Sequence, residues 1–569
     1  MHSFQSPACN HKMGKSIAEI GGHDSALTGA RLEGIMTVKS NRETKMAASK
    51  HQFPEHGGSP GTPRNDVPLI LCFAFGVLAF HLLVNAFGGY GIFRDEYYYI
   101  ACSKRPAAGY VDQPPLAMFL MAAGRALFGV SQLGIRVLPA LSHALTVILG
   151  GFIGRRLGGR RAAVLLTCFA VALAPLVIGH THIFQMNAFA HLFWALAAYL
   201  LVLIVDRSRP GLWVLLGIVM GLGLLNKIDF LWFGVGLAAA LVLTDLRKHL
   251  ATPWPYAAAG IALLIFSPYI VWNIAHDFAH LEFIRNATAG KYSGLTRLDF
   301  LAGQAILLNP VNMLLWVPGL LFLLFSREGR RQRALGIIYL AAFAVLLANP
   351  HSKAEYLGPA YTMLFAAGGV AVERWASRGR RPWAVTSLAA VSVLTSLLIL
   401  PFAVPVLPVE TYIKYAAAMG VAPSTAESQQ LAELPQFYAD MFGWEELARD
   451  VSAVYLALPE SERNSSVVFP RNYGEAASLE YYAPKYPLPC VICPHNNYWI
   501  WGYPEERLQT LIVLQGSEED SKESCTEVTL AAVHTCRYCL PYENNMPIWL
   551  CRGLRVPMDE IWKKDKTFH

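Results

Sequence analysis

Charge is what this sequence has least of: 15% of its 569 residues are Asp, Glu, Lys or Arg, against about 25% in an ordinary soluble domain. That deficit excludes a chain that is water-exposed throughout. Nucleotide and zinc-peptidase signatures are missing too. No H-E-x-x-H occurs, no G-x-x-x-x-G-K-[ST], and no glycine-rich loop set between a strand and a helix, so those chemistries have no anchor. Gly221–Lys227 shares only composition with a phosphate-binding loop; the spacing and the preceding strand are absent. Residues 1–66 contain no apolar core of signal-peptide type. They are rich in Gly, Ser, His and Lys and read as a disordered cytoplasmic tail, with Met46 as an alternative start.

Apolar sequence fills the space that charge vacates, at 54% of residues. Runs of roughly 18 or more apolar residues read as membrane-spanning helices. We place them near 68–88, 132–153, 162–182, 187–205, 211–225, 229–245, 255–273, 306–325, 334–349, 356–373 and 383–403. The net charge of +7 would suit nucleic acid or anionic lipid, but its distribution argues for orientation instead. The basic residues gather in short loops: Arg155-Arg156 with Arg160-Arg161, Arg207 with Arg209, Arg247-Lys248, Arg327 to Arg333, and Arg374 to Arg381. Such loops mark the cytoplasmic side, so no nucleic-acid partner is expected. About eleven spans then leave the N-terminus inside and residues 405–569 outside. The predicted fold is mainly α: a cytoplasmic tail (1–66), a polytopic membrane helix bundle (67–404) and a C-terminal extracytoplasmic α/β domain (405–569), in the plasma or inner membrane.

Six of the ten cysteines lie in that last region: Cys490, Cys493, Cys525, Cys536, Cys539 and Cys551. Two C-x-x-C pairs suit zinc but lie about forty residues apart. An even count in an oxidising compartment suits disulfides, and unpaired thiols are the third reading.

The unusual polar residues face outward in this topology. Asp95 and Glu96 follow the first span, and Asp112 precedes Pro114-Pro115. A partly desolvated carboxylate can take a proton from an acceptor hydroxyl. The competing reading makes the pair the cap of a helix starting near Tyr97. Neighbouring helical positions face different ways, so at most one of the two points into a given site. Lys227 lies near a span's outer end, where a lysine holds a phosphate, snorkels, or pairs with Asp229. Arg285, Lys291 and Lys353 add cations on the same face. His180 and His182 do not share a helix face, so interfacial hydrogen bonding is the expectation for them. In the outer domain His495, Asn496, Asn497 and Trp499 combine amides and aromatics that suit a sugar, or else form a packed strand and turn.

The run Asp95-Glu96, then Gly109-Tyr110-Val111-Asp112-Gln113-Pro114-Pro115-Leu116, then Gly221–Lys227, Leu281–Ala287 and Lys353–Tyr361, resembles the bacterial relatives of dolichyl-phosphate-mannose protein mannosyltransferases. These are GT-C-type glycosyltransferases that include the aminoarabinose transferases, and the resemblance covers roughly 68–375. It implies transfer of a sugar from a polyprenyl-phosphate donor to a lipid, glycan or protein acceptor at the extracytoplasmic face, in cell-envelope glycan or glycolipid modification. Asp95 matches the family's catalytic acid position, with Glu96 beside it. Lys227, Arg285 and Lys353 would hold the donor phosphate. Asp112, Asn187, His495, Asn496, Asn497 and Trp499 are the acceptor or sugar candidates. Where many relatives carry a second aspartate, this chain has Asn187, which cannot ionise and so disfavours a two-carboxylate metal site; the expected reaction is metal-independent, a divalent metal staying open as the alternative, and no cofactor is expected. The competing classes are an inactive scaffold that binds lipid-linked sugar, and a lipid or sugar transporter. Internal repeats and mid-span charges would mark the transporter; no repeat is visible between the halves.

Overall fold

The computed structural model describes the chain from Asn65 to His569, apart from residues 208, 293, 426, 428, 429 and 505–507. The tail expected to be disordered therefore lies outside the described residues up to position 64. Asp66–His569 pack as one compact unit.

Helices occupy all eleven expected span positions, but with breaks the hydropathy pattern did not show. Six are long and apolar enough to cross a membrane: Val67–Phe87, Gln132–Arg156, Met186–Arg207, Trp254–Ala275, Gly329–Ala348 and Pro382–Ala403. Three bent pairs bring the number to nine if each counts as one span. Six to nine is a count by length and composition alone, and it leaves aside the shorter apolar helices Leu116–Phe128 and Pro210–Asn226.

The bends have local causes. Arg161–Leu173 and Pro175–His182 meet at 52°, because Pro175 lacks an N–H and holds Ala174 extended. The Leu176 N–H just beyond turns to the Leu307 carbonyl at 2.8 Å, keeping the backbone satisfied. Arg297–Ile306 and Pro310–Phe325 meet at 89° around Asn309, whose φ is +69°. The Asn309 amide is tied to Ser392, Thr395 and Ser396. The segments expected at 229–245 and 306–325 prove to be helices of only 13 residues each, Leu231–Leu243 and Met313–Phe325.

Small residues let helices touch. A Cβ on Gly368 would meet the Leu315 carbonyl oxygen at 2.0 Å, and one on Gly319 the Leu364 oxygen at 2.2 Å. Met313–Phe325 and Tyr361–Arg378 therefore pack backbone to backbone, as membrane helices do without a hydrophobic drive between them.

The basic clusters meet at one end of the bundle. Glu328 pairs with Arg374 and Arg378, Arg331 with Asp206, and Glu373 accepts from the Arg160 backbone at 2.7 Å. Trp213, near the start of Pro210–Asn226, donates to His249 beside Arg247-Lys248. The spacing of five basic loops thus corresponds to one physical face.

The loop after the first span holds two helices, Arg94–Lys104 and Leu116–Phe128. The first starts at Arg94, three residues before the expected Tyr97, so Asp95 and Glu96 sit inside its first turn and do not precede it.

Beyond Ala403 the chain builds a mixed sheet of five strands: β1 (Ser466–Phe469), β2 (Cys490–Val491), β3 (Thr510–Leu514), β4 (Cys525–His534) and β5 (Met546–Leu554), in the order β2-β1-β3-β5-β4. β1 runs parallel to β2 and β3, while β5 runs antiparallel to β3 and β4. A disulfide joins Cys525 to Cys551 across the β4–β5 edge. Cys493, Cys536 and Cys539 are buried free thiols. Among the described residues no group of three or more His, Cys, Asp or Glu is placed to hold a metal ion.

This region grips the Arg94–Lys104 helix along its length. Tyr482 meets the Tyr97 hydroxyl at 3.1 Å, and Glu480 accepts two bonds from Arg105 at 2.7 and 2.9 Å. Asp440 lies 3.5 Å from Arg94, which also donates to Tyr542.

Candidate active site

Glu96 and Asp95 diverge because a helix turns by about 100° per residue. Glu96 is fully buried. Its Oε2 accepts from the Phe93 N–H at 2.9 Å, closing the helix start, and its Oε1 from the Phe184 N–H at 2.7 Å. Arg136 grips both oxygens, at 2.8 and 2.6 Å. That guanidinium is also fully buried and bonds Asn85 and Gly91. Removing one partner of such a pair strands the other in a low-dielectric interior. Glu96 is therefore an anchor of the helix start, which corrects its place among the catalytic candidates: neither oxygen is left for a proton from outside.

Asp95 turns the other way, with its side chain 34% exposed. Its Oδ1 accepts from the Tyr473 hydroxyl at 2.9 Å. The Arg94 guanidinium, drawn toward Asp440 and Tyr542, stays 3.7 Å away. Asp112 is half-buried and accepts from the Tyr98 hydroxyl at 3.1 Å. Desolvation pushes its carboxyl up to about 7; the Asp95 charge adds to the rise, and the Tyr98 bond and Lys291 oppose it.

The cations form a row beside these acids. Lys227 follows Pro210–Asn226 and bonds the Asn187 side-chain oxygen at 2.6 Å and Asp229 at 2.7 Å, beneath the Tyr356 ring. The amide at Asn187 thus serves as an uncharged partner for the lysine. Lys353 lies over Tyr292 and 3.7 Å from Glu427. Burial disfavours its ammonium, but Glu355, Tyr292, Glu427 and Asp95 outweigh this and hold it above its ordinary range. Burial lowers Lys291, the attraction of Glu427 opposes that, and Arg94 adds to the lowering. Glu355 links the row, feeling both Lys353 and Lys227 and lying 3.8 Å from His180.

Other expected residues fall elsewhere. Arg285 is exposed on Ala279–Ala289 and forms no ion pair among the described residues, so it is not drawn into the row. Asn497 is buried, and its side-chain oxygen accepts from the Val111 N–H at 3.0 Å, which fastens the C-terminal region to the loop after the first span. Trp499 donates to the Trp562 carbonyl, with Lys566 over its face and Phe568 at its edge. Lys566 therefore covers one face of a ring that stays partly exposed. His495 is buried against Tyr473 and bonds the His569 carbonyl. Asn496 is buried with φ +49° and neither side-chain polar atom partnered. The expected strand here is a turn and a short helix, Asn497–Trp501. His180 and His182 do not reach the surface; they join a buried network with His191, His81 and His143.

Sequence reasoning passed over Arg136 and Tyr473. An arginine inside the apolar 132–153 run was a readable signal, because such a charge demands a partner. Tyr473 carried none.

A family model described as dolichyl-phosphate-mannose-protein mannosyltransferase matches residues 112–272. That stretch takes in Asp112, Asn187 and Lys227 but stops short of Asp95 and Lys353. A lipid A galacturonosyltransferase, RgtD, of Rhizobium johnstonii is 23% identical over 295 residues, 50% of this chain and 60% of that protein. An undecaprenyl phosphate-alpha-4-amino-4-deoxy-L-arabinose arabinosyl transferase of Pseudomonas fluorescens is 29% identical over 232 residues, 37% of this chain and 40% of that protein. The chain thus spans roughly half the length of these relatives. The crystal structure of ArnT from Cupriavidus metallidurans bound to undecaprenyl phosphate superposes with a TM-score of 0.55 at 15% identity, covering 85% of this chain and 97% of that one. The two chains share one fold.

Proposed function

We propose that this chain, a relative of the bacterial GT-C-type transferases of the aminoarabinose-transferase group, is a membrane glycosyltransferase. It takes a sugar from a polyprenyl-phosphate donor and passes it to a hydroxyl of a membrane glycolipid. The observation that carries this reading is the Asp95 carboxylate, 34% exposed, whose charge is felt by the Lys291 and Lys353 ammonium groups. A base and a bank of cations on one apolar bundle suit a hydroxyl nucleophile and a phosphate leaving group.

Asp95 takes the proton of the acceptor hydroxyl as its oxygen bonds to the sugar's anomeric carbon. The bond from that carbon to the phosphate oxygen breaks, and its electron pair leaves with the polyprenyl phosphate. Negative charge grows on the phosphate, where Lys227, Lys291 and Lys353 meet it inside a partly dry site. Asp112, pushed up to about 7 by desolvation, still carries its proton for much of the neutral range and can donate to a sugar hydroxyl. Lysines meet the charge of the leaving group, so the reaction we write involves no metal.

The basic loops place their end of the bundle in the cytoplasm. Asp95, the lysine row and residues 405–569 then face the extracytoplasmic side of the inner membrane. The division into a tail (1–66), a membrane bundle (67–404) and an outer domain (405–569) belongs to the same reading.

The test is transfer of labelled sugar from undecaprenyl-phosphate donors in membranes, with wild type and Asp95→Asn at equal expression. The variant should lose about 100-fold or more. Equal rates would remove Asp95 as the base.

A further inference from the structure

We infer that Tyr473, carried by the C-terminal domain, is a positioning residue for Asp95, so that the outer domain completes the transferase site. The inference rests on the reading of Asp95 as base.

Tyr473 opens the helix Tyr473–Tyr482 directly after its cap, Asn472, whose side chain accepts from the Glu475 N–H at 2.9 Å. Glu475, fully buried, returns the bond by accepting from Asn472 and from the Arg471 N–H. The next residue has to be small: a Cβ on Gly474 would meet Arg94 Cγ at 2.3 Å. The tyrosine's backbone is therefore pinned against the helix that carries Asp95.

Its ring is enclosed as well. Tyr98 lies 4.7 Å away between centroids, His495 5.0 Å, and the Arg94 guanidinium 5.7 Å from the ring centre. Tyr473 is 8% exposed, so its rotamer has little freedom. The hydroxyl emerges from this cage at Asp95 Oδ1. A phenol donating to one carboxylate oxygen fixes the carboxylate plane and leaves the other oxygen to face the acceptor. Arg94 does not duplicate this, because Asp440 and Tyr542 hold its guanidinium back.

A phenol bridging two domains would also serve simple docking, and the structure supplies the control. Tyr482 makes an equivalent bond between the domains, to Tyr97, from the far end of the same helix. If Tyr473 positions the base, Tyr473→Phe should lower kcat by about 10- to 100-fold, the worth of a hydrogen bond to a charged group. KM for the donor should stay within about twofold and thermal stability should be unchanged, since the ring remains. Tyr482→Phe should retain wild-type kcat. Adding Tyr473→Phe to Asp95→Asn should cost nothing further, because the two groups act as one unit. Equal losses in the two phenylalanine variants, or full activity in Tyr473→Phe, would overturn the inference. Failure of the base reading looks different: Asp95→Asn would itself stay active.

Discussion

At the scale of single residues, Glu96 and Arg136 are locked on each other in the interior, whereas Asp112 is a group whose charge can change. An unfolded aspartate titrates near 3.8 and the folded Asp112 near 7, so the folded chain holds this proton more tightly. Stability from the protonated form is fully present below pH 3.8 and is lost as pH rises through 7. Asp112→Asn cannot ionise and escapes that loss. Its thermal midpoint should therefore rise relative to wild type between pH 5 and pH 8, with an upper bound of about 3 kcal/mol over that window. Midpoints in detergent across that range check the sign; a constant difference would mean that Asp112 stays charged throughout. The burial of Glu96 was not legible in the sequence, because adjacent carboxylates look equivalent until helix phase and the position of Arg136 are known.

At the scale of elements, apolar runs near 20 residues long gave the right positions for all eleven helical segments. Hydropathy averages over a window, however, and cannot see a break made by one proline or by a residue at positive φ. The bends at Pro175 and Asn309 therefore appeared only in the structure. The helix Leu116–Phe128 was hidden by a loop reading, since at 13 residues it is too short to pass a span criterion, and Arg94–Lys104 was expected only as a helix starting near Tyr97. Contacts between elements have a test of their own. Gly368→Ala places a Cβ against the Leu315 carbonyl, at a spacing of 2.0 Å that no backbone tolerates. The Met313–Phe325 and Tyr361–Arg378 helices must then separate, at about 1–3 kcal/mol by analogy with overpacked cores. A lower thermal midpoint with unchanged secondary structure is the expected reading. A neutral result would mean that the two helices do not share this close seam.

At the scale of the whole molecule, the C-terminal region is wrapped onto the loop after the first span by Arg105–Glu480, Asn497–Val111 and Tyr473–Asp95. Its sheet carries the Cys525–Cys551 link, which closes a loop of 26 residues at the β4–β5 edge. Opening it by Cys525→Ser with Cys551→Ser should cost about 3 kcal/mol of domain stability through the larger freedom of the unfolded chain. Denaturation followed by tryptophan fluorescence would report it, and no change would place the sheet's stability elsewhere. By itself the sequence determined the membrane class, the positions of the helices and the gathering of the basic loops at one end. Each is written locally, in hydropathy or in loop charge. Only the tertiary structure decided that Glu96 is held by Arg136, that Arg285 is exposed, and that Tyr473, 378 residues further along the chain, meets Asp95. Those outcomes depend on helix phase and on contacts between distant segments, and local composition encodes neither.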